Sequence, residues 1–448
     1  MRLLLDNSYA MIVDASRDQI QALNEHFSVL RKDRIFFNRW AKERWEPVRL
    51  IQGNLMPTGL VPTALKVFGE KFSITVEDTR RAPLEKDVLP ARADIRLLEP
   101  PKLFDFQTKA VEFAKEKARA IIVGKTGSGK TFMMGSLIHH YCRSTLVLVG
   151  SKSPMVQIKD KLGLFIDPAY IGLVGGKHRD ENYITIATYA SAKKLPLHEY
   201  EVIMIDEVHH AAAATYQEIL KYATNAYYRF GVTGTPTGRS DGLEMLTDAV
   251  ISSDYYTIPK EEIKEQLGMP STTVGLIDIK LPYNAQGVGA YDTVIVNNTE
   301  VNDIISKIAV RFQEKTVLIY VERLQHGHNL NQLIPGSIFV HGDTSVEDRD
   351  MILKNIKGRV VICTEVFGES IDTQDIGVII NASGNRSPIR IVQLLGRAMR
   401  GGSDKEVLAF DFIHRDGATF ERRSKKRVTV WKQNCDIVNK IHHEGVVL

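Results

Sequence analysis

Short apolar runs alternate with stretches of helical period from about Leu98 to about Val250, a pattern that predicts a parallel β-sheet with both faces covered by helices. Ala120–Val123 is one such strand, followed by a glycine-rich turn and then by Phe132–Tyr141, which suits a helix. Glu201–Ile205 is another, and it ends on two carboxylates, Asp206 and Glu207. Upstream, residues 1–95 form a separate small α+β domain in which strand-like pieces (Tyr9–Val13, Val48–Gln52, Phe72–Val76) flank a helical stretch, Arg17–Leu30. The run RRAPLEKDVLPAR, with Pro83 and Pro90, reads as a linker into the first α/β domain, residues 96–250. Residues 251–300 are less regular and read as a linker or arm.

The turn after Ala120–Val123 is GKTGSGKT, Gly124 to Thr131, which fits the phosphate-binding pattern GxxxxGK[ST] in its required strand, loop and helix setting. Gly124, Gly127 and Gly129 let the backbone curl so that the N–H groups of the loop, with Thr126 and Ser128, point at phosphate oxygens at the positive end of a helix. Lys130 reaches the outer phosphates, and the Thr131 hydroxyl is a ligand for Mg²⁺. At a sheet's carboxyl edge, Asp206 is assigned to the same metal and Glu207 to a general-base or water-positioning role. Near the far end of the chain, Gln393, Arg397 and Arg400 fall at i, i+4 and i+7 on one helix face, where two guanidiniums can stabilise charge developing on a γ-phosphate.

Taken together these segments resemble the superfamily 2 helicases of the DExH type, from about Leu103 to about Arg427. The resemblance implies two tandem RecA-like motor domains with parallel sheets, the second over 301–416, and ATP as the nucleotide. LFDFQ resembles the family's adenine-recognition element, which gives Phe106 a stacking role and Gln107 a hydrogen-bonding one; the family's arginine is Phe104 here. GSKSPMVQ, from Gly150, and ITIATYAS, from Ile184, resemble segments that touch the nucleic-acid backbone, with Thr188 as a phosphate partner. TGTP, from Thr233, resembles the element that links hydrolysis to domain movement, and His209 with Thr233 would pass on the nucleotide state. VLIYVERLQHG, VHGDTSVEDRD and VVICTEVFGESIDTQDIGVII resemble the second motor domain, placing Thr364 on the nucleic-acid strand and Gly368 and Asp372 at the nucleotide. Within the superfamily, the small N-terminal domain, NNTEVNDIISKIA and the RSPIRIVQLLGRAMR region are most similar to the UvsW-type phage branch-migration and recombination helicases. That likeness implies a motor acting on forked and junction DNA in replication, recombination and repair. It implies a phage-encoded protein working in the host cytoplasm, beside other replication and recombination proteins. Two other readings stay open: an RNA-remodelling DExH enzyme, and an ATP-switched DNA clamp that does not unwind.

Composition changes this picture little. The 448 residues allow two or three domains, and the net charge of +4 means that a nucleic-acid footprint must come from clustering. Cys142, Cys363 and Cys435 lack paired spacing, which fits a reducing compartment without a zinc site or disulfide framework. No run approaches the ~18 apolar residues of a membrane-spanning helix, so a soluble intracellular protein, without membrane attachment and monomeric, is expected. Two basic segments interleave cations with aromatics, as DNA-binding segments do: Arg31–Arg49, with Arg39, Trp40 and Arg44, and Phe420–Lys432, with Arg422 and Lys426, in a basic C-terminal tail over 417–448. An amphipathic segment with its aromatics in the core explains the first equally well. NAQGVGA, at Asn284–Ala290, reads either as a junction contact or as a surface turn.

Overall fold

The structure is a computed structural model and describes residues 1–29, 48–80, 96–125, 127–208, 219, 221–234, 244–280, 289–364, 375–384, 394–396, 398–399, 405–415 and 418–441. It divides into two compact units, Met1–Pro259 and Lys260–Leu448.

The first unit opens with a four-stranded sheet in the order β5-β2-β1-β6, made of β1 (Arg2–Leu5), β2 (Tyr9–Val13), β5 (Leu55–Pro57) and β6 (Thr75–Asp78). Strands β3 (Ser28–Val29) and β4 (Val48–Arg49) pair separately. Helices α1 (Arg17–His26) and α2 (Val61–Phe72) accompany the sheet, with Leu3, Ile12, Leu23, Met56, Ala64 and Phe68 in a common core. The helix expected over Arg17–Leu30 stops at His26, and Phe27 and Val29 turn into that core instead of extending a helix. The strand expected at Phe72–Val76 begins only at Thr75, because α2 runs through Phe72.

The main sheet of this unit has the order β10-β9-β11-β8-β12-β13-β7-β14. Its strands are β7 (Arg119–Val123), β8 (Thr145–Val149), β9 (Ile171–Gly175), β10 (His178–Arg179), β11 (Ile184–Thr188), β12 (Val202–Asp206), β13 (Tyr228–Thr233) and β14 (Tyr255–Thr257). All pair in parallel except the β9–β10 hairpin. The helices include α3 (Asp105–Lys117), α4 (Lys130–Tyr141), α5 (Ser153–Leu162), α6 (Tyr189–Ala192) and α7 (Glu244–Val250). Every residue of β7, β8, β9 and β11 is buried, which explains their continuous rather than alternating apolar sequence. Each fully buried Ile, Leu or Val contributes roughly 1.5–3 kcal/mol relative to exposure.

The N-terminal sheet is fused to this body through polar as well as apolar contacts. Arg119 and Arg229, opposite each other at the start of β7 and β13, are both buried. Arg119 Nη2 donates to Asn7 O at 2.8 Å and Ala226 O at 3.0 Å, and Arg229 Nη2 donates to Ser8 Oγ at 3.2 Å and Ala223 O at 2.9 Å. Burial pushes both guanidiniums below their ordinary pKa, Arg229 to about 10. Leu246 of α7 joins the N-terminal core.

The second unit is a parallel sheet in the order β17-β18-β16-β19-β20-β15-β21. Its elements are α8 (Lys260–Leu267), β15 (Ser271–Lys280), α9 (Thr299–Arg311), β16 (Thr316–Tyr320), α10 (Leu324–Leu333), β17 (Ile338–Val340), α11 (Val346–Lys354), β18 (Val360–Cys363), β19 (Ile376–Asn381), β20 (Glu406–Arg415), α12 (Ala418–Asn434) and β21 (Ile437–Ile441). Two expectations are corrected here. Residues 251–300 are not a free linker: β14 completes the first sheet, and β15 lies inside the second, paired along ten residues with β20. Nor is the described part of 417–448 a free basic tail, since α12 packs on the sheet and β21 adds an edge strand.

The physical cause is a buried ion pair. Arg427 Nε donates to both Asp411 oxygens at 3.1 and 3.0 Å, Arg427 Nη2 donates to Phe412 O at 2.7 Å, and Trp431 Nε1 donates to Asp411 Oδ2 at 2.6 Å, with Arg427, Asp411 and Trp431 all essentially inaccessible. Arg427→Ala would leave a buried carboxylate without its cation and is expected to cost about 3–5 kcal/mol, whereas exposed Arg422→Ala should stay within about 0.5 kcal/mol; urea-unfolding midpoints measure both.

Candidate functional site

The carboxyl edge of the first sheet gathers the expected chemistry. Register sets Thr233 opposite Val123 and Asp206 opposite Val232, so the phosphate loop, the end of β13 and the carboxylates after β12 emerge along one edge. The β7 to β13 pairing continues past the strand, where Gly124 N donates to Thr233 O at 2.9 Å.

The loop leaves β7 at Gly124 and enters α4 through Gly129, which is in the left-handed region at φ 75°. A Cβ on Gly129 would lie 2.2 Å from Gln107 Nε2, and the positive φ disfavours any side chain, so the position favours glycine. Helix α4 begins at Lys130, two residues before the expected start, and so sets the positive end of its dipole at the loop. Ser128 is fully buried, and its Oγ lacks a hydrogen-bond partner among the described residues. An orphaned hydroxyl in a glycine-rich loop at the start of a helix suits a phosphate group.

Lys130 Nζ lies 3.4 Å from Gly124 O and 3.7 Å from Glu207 Oε1. Glu207 takes up a left-handed backbone at φ 50°, a conformation that costs of order 1–3 kcal/mol for a residue with a side chain. That turn aims its carboxylate at β13: Oε2 accepts from Thr233 Oγ1 at 3.3 Å and from Gly234 N at 3.2 Å. Asp206, the last residue of β12, is half-buried, and its backbone carbonyl accepts from Tyr189 OH at 3.2 Å. Thr131 is half-buried in the first turn of α4. A hydroxyl and a carboxylate are hard-oxygen donors, the type that suits a cation such as Mg²⁺ that keeps several waters.

Gln107 is 4 % exposed and ties two segments together. Its Oε1 accepts from Phe104 N at 3.0 Å, capping α3, while its Nε2 donates to Ser128 O at 2.9 Å and so braces the phosphate loop. The stacking role expected of Phe106 is corrected by its burial: the ring is wholly inaccessible in the core, because position 106 faces inward on α3. Phe104, stacked on it with centroids 5.8 Å apart and planes 7° apart, is 44 % exposed. Phe104 stands at the N-cap of α3, where the family has an arginine.

Thr188 and Thr364 follow the same edge pattern, at the end of β11 and immediately after β18. Each is only 8 % exposed, and Thr188 Oγ1 donates to Ser191 Oγ at 3.1 Å, so the hydroxyl expected on a phosphate is engaged in the α6 turn. Exposed cations stand elsewhere on each unit. Lys152 packs its stem along Gly176, and Lys177 and Arg179 stand exposed on the β9–β10 hairpin. Arg422 and Lys426 are exposed one turn apart on α12. Thr126, His209, Gly368, Asp372, Gln393, Arg397, Arg400, Arg39, Trp40, Arg44 and 284–288 lie outside the described residues. Among the described residues no helix is long and apolar enough to cross a membrane.

The family described as type III restriction enzyme, res subunit, matches residues 100–238, and the family described as helicase conserved C-terminal domain matches residues 300–402. A DNA 3'-5' translocase XPB2 of Sulfurisphaera tokodaii is 24% identical, over 78% of this chain and 91% of its own length. The ATP-dependent DNA helicase uvsW of Enterobacteria phage T4 is 21% identical, over 93% of this chain and 91% of its own length. A solved structure of Saccharomyces cerevisiae Dbp5 bound to RNA and ADP BeF3 shares the fold, with a TM-score of 0.55 and 13% identity over 77% of this chain and 90% of that one. This chain therefore belongs to the superfamily 2 helicases, ATP-using enzymes built on two tandem RecA-like motor domains.

Gly129→Ala adds a Cβ where Gln107 Nε2 lies and strains a positive φ. It should weaken ATP binding roughly tenfold or more while leaving the unfolding midpoint within a few degrees, a split that fluorescent-nucleotide titration and thermal melting would detect.

Proposed function

We propose that the chain is an ATP-dependent DNA helicase or translocase that unwinds or branch-migrates forked and junction DNA in phage-type replication, recombination and repair. The observation that carries this reading is the extent of the likeness to the phage helicase: it runs over 93% of the chain, and so beyond the two motor regions into the N-terminal sheet fused to the first motor.

The residues suggest how ATP is handled. The phosphate loop, Gly124 to Thr131, and the N-terminal end of α4 hold its phosphates, and Phe104 stacks on adenine while Gln107 holds the loop in shape. Thr131 and Asp206 would hold Mg²⁺, which when bound neutralises charge on the outer phosphates. Lys130 exchanges Gly124 O and Glu207 for phosphate oxygens. This releases Glu207 Oε1 to orient the attacking water, while Oε2 remains held by Thr233 and Gly234. Loss of the γ-phosphate returns Lys130 to Glu207, and the change reaches the TGTP segment through Thr233. Arg397 and Arg400 act as finger arginines, beside Gln393, with Gly368 and Asp372 at the nucleotide and His209 relaying its state. Arg422 and Lys426, with Lys152, Lys177 and Arg179, grip the DNA backbone.

ATP turnover and strand release on single-stranded DNA, RNA, a forked duplex and a four-way junction, each at two salt concentrations, test the reading. Fork- or junction-stimulated turnover with released product strands is expected. Stimulation by RNA alone, or turnover without strand movement, would overturn it.

Lys130→Ala should lower turnover by about 100-fold or more while DNA affinity stays within about twofold, measured by phosphate release and fluorescence anisotropy. Phe104→Ala should raise the Kd for ATP roughly tenfold, the effect of losing one base-stacking ring, and substitution of the same ring by Tyr should restore it.

A further inference from the structure

The chain crosses from the first unit to the second once, at Pro259, and it is tied down on both sides of that crossing. On the upstream side, β14 pairs with β7 up to Thr257 opposite Val123, and Ile258 N then donates to Val123 O at 2.9 Å. Ile258 is 4 % exposed, and its Cδ1 stands 2.9 Å from where a Cβ on Gly124 would lie. The last residue before the crossing therefore packs against the first residue of the phosphate loop.

On the downstream side, α8 starts at Lys260 and is clamped within its own unit. Lys260 Nζ lies 3.4 Å from Asp436 Oδ1 and Lys264 Nζ 3.1 Å from Oδ2, and Oδ2 also accepts from Thr272 N at 2.9 Å and Thr272 Oγ1 at 3.1 Å. Burial pushes the Asp436 carboxyl up, but hydrogen bonds from Lys264 and Thr272 outweigh it and hold the pKa at about 2. Ile263, on the same helix, is fully buried. Between these anchors stands only exposed Pro259, whose ring fixes its own φ and restricts Ile258 to an extended backbone. With Pro259 φ fixed and Ile258 held extended, the crossing has few free torsions in which a displacement can be absorbed.

We propose that Ile258 is a positioning residue that converts the state of the phosphate loop into movement of the second unit, acting through Pro259 and the Lys260/Lys264–Asp436–Thr272 clamp. This rests on the reading of the chain as an ATP-driven motor. Nucleotide that reshapes Gly124 shifts Ile258, and the stiff crossing hands that shift to α8. The ATP-contacting groups are untouched by changes at Pro259 or Asp436, so those variants separate transmission from catalysis.

The test uses the full chain with spin labels at K193C and K307C in a Cys142→Ser background, with ADP–beryllium fluoride as the nucleotide probe, beside assays of ATP turnover and strand release. In the parent, nucleotide should shift the distance between labels. Ile258→Ala, Pro259→Gly and Asp436→Asn should each lose at least about half of that shift, and ATP consumed per strand released should rise roughly threefold. Basal turnover of the Pro259 and Asp436 variants should stay within about twofold of the parent. An unchanged shift in Pro259→Gly and Asp436→Asn, or no shift in the parent, would overturn the inference. A parent that shifts normally but releases no strands would instead overturn the helicase reading, while the loss of shift in the variants would still support transmission through Ile258.

Discussion

The register of the parallel strands β7, β13 and β12 is the constraint on which the rest of the first unit depends. All their residues except Asp206 and Tyr228 are buried, so a slip of one position would invert every side chain and is resisted along the whole ladder. That single registration brings Gly124, Thr233 and Asp206 to one edge, and it lets Gly124 N continue the ladder onto Thr233 O. The phosphate loop is thereby attached at its base to the strand that carries Thr233, and Glu207 reaches both Lys130 and Thr233 without any further scaffold. Two strained or permissive backbone positions, Gly129 and Glu207, set the final aim of these groups.

Buried polar groups then decide what moves with what. Arg119 and Arg229 sit at the opposite ends of the same strands and satisfy their donors on backbone carbonyls and on Asn7 and Ser8, which locks the N-terminal sheet to the first motor. Desolvating two guanidiniums is costly, and each donor left unpaired would add to that cost, so the contact tolerates one geometry only. Asp411, Arg427 and Trp431 play the corresponding part in the second unit, where they fix α12 to β20. A force acting on the N-terminal sheet is therefore felt by the strands that carry the phosphate loop, which is a physical reason for an accessory domain to influence a motor.

Much of the fold and of the candidate site is legible in the sequence, wherever chemistry is local along the chain. The phosphate loop is a contiguous run whose glycines, lysine and threonine are demanded by backbone curvature and phosphate charge, and the strand before it reads as apolar because both its faces are covered. Asp206 and Glu207 stand out for the same reason, as carboxylates ending an apolar strand. The misreadings fall where burial depends on partners distant in sequence. Arg427 and Trp431 belong to a basic, aromatic run that looks like a nucleic-acid surface until Asp411 is seen to hold both of them. Residues 271–280 looked irregular because their pairing partner lies in β20, more than a hundred residues downstream.

The sequence by itself determined the class of this protein, two parallel-sheet motors of which the first carries an ATP-binding loop, because short motifs encode phosphate chemistry directly and apolar runs encode buried strands. Tertiary structure alone decided which side chains are available to a ligand. It buried Phe106 and exposed Phe104, engaged Thr188 with Ser191, and set Ile258 against Gly124. Exposure and contact are properties of how elements pack, and neighbours in space are written nowhere in the order of residues along the chain.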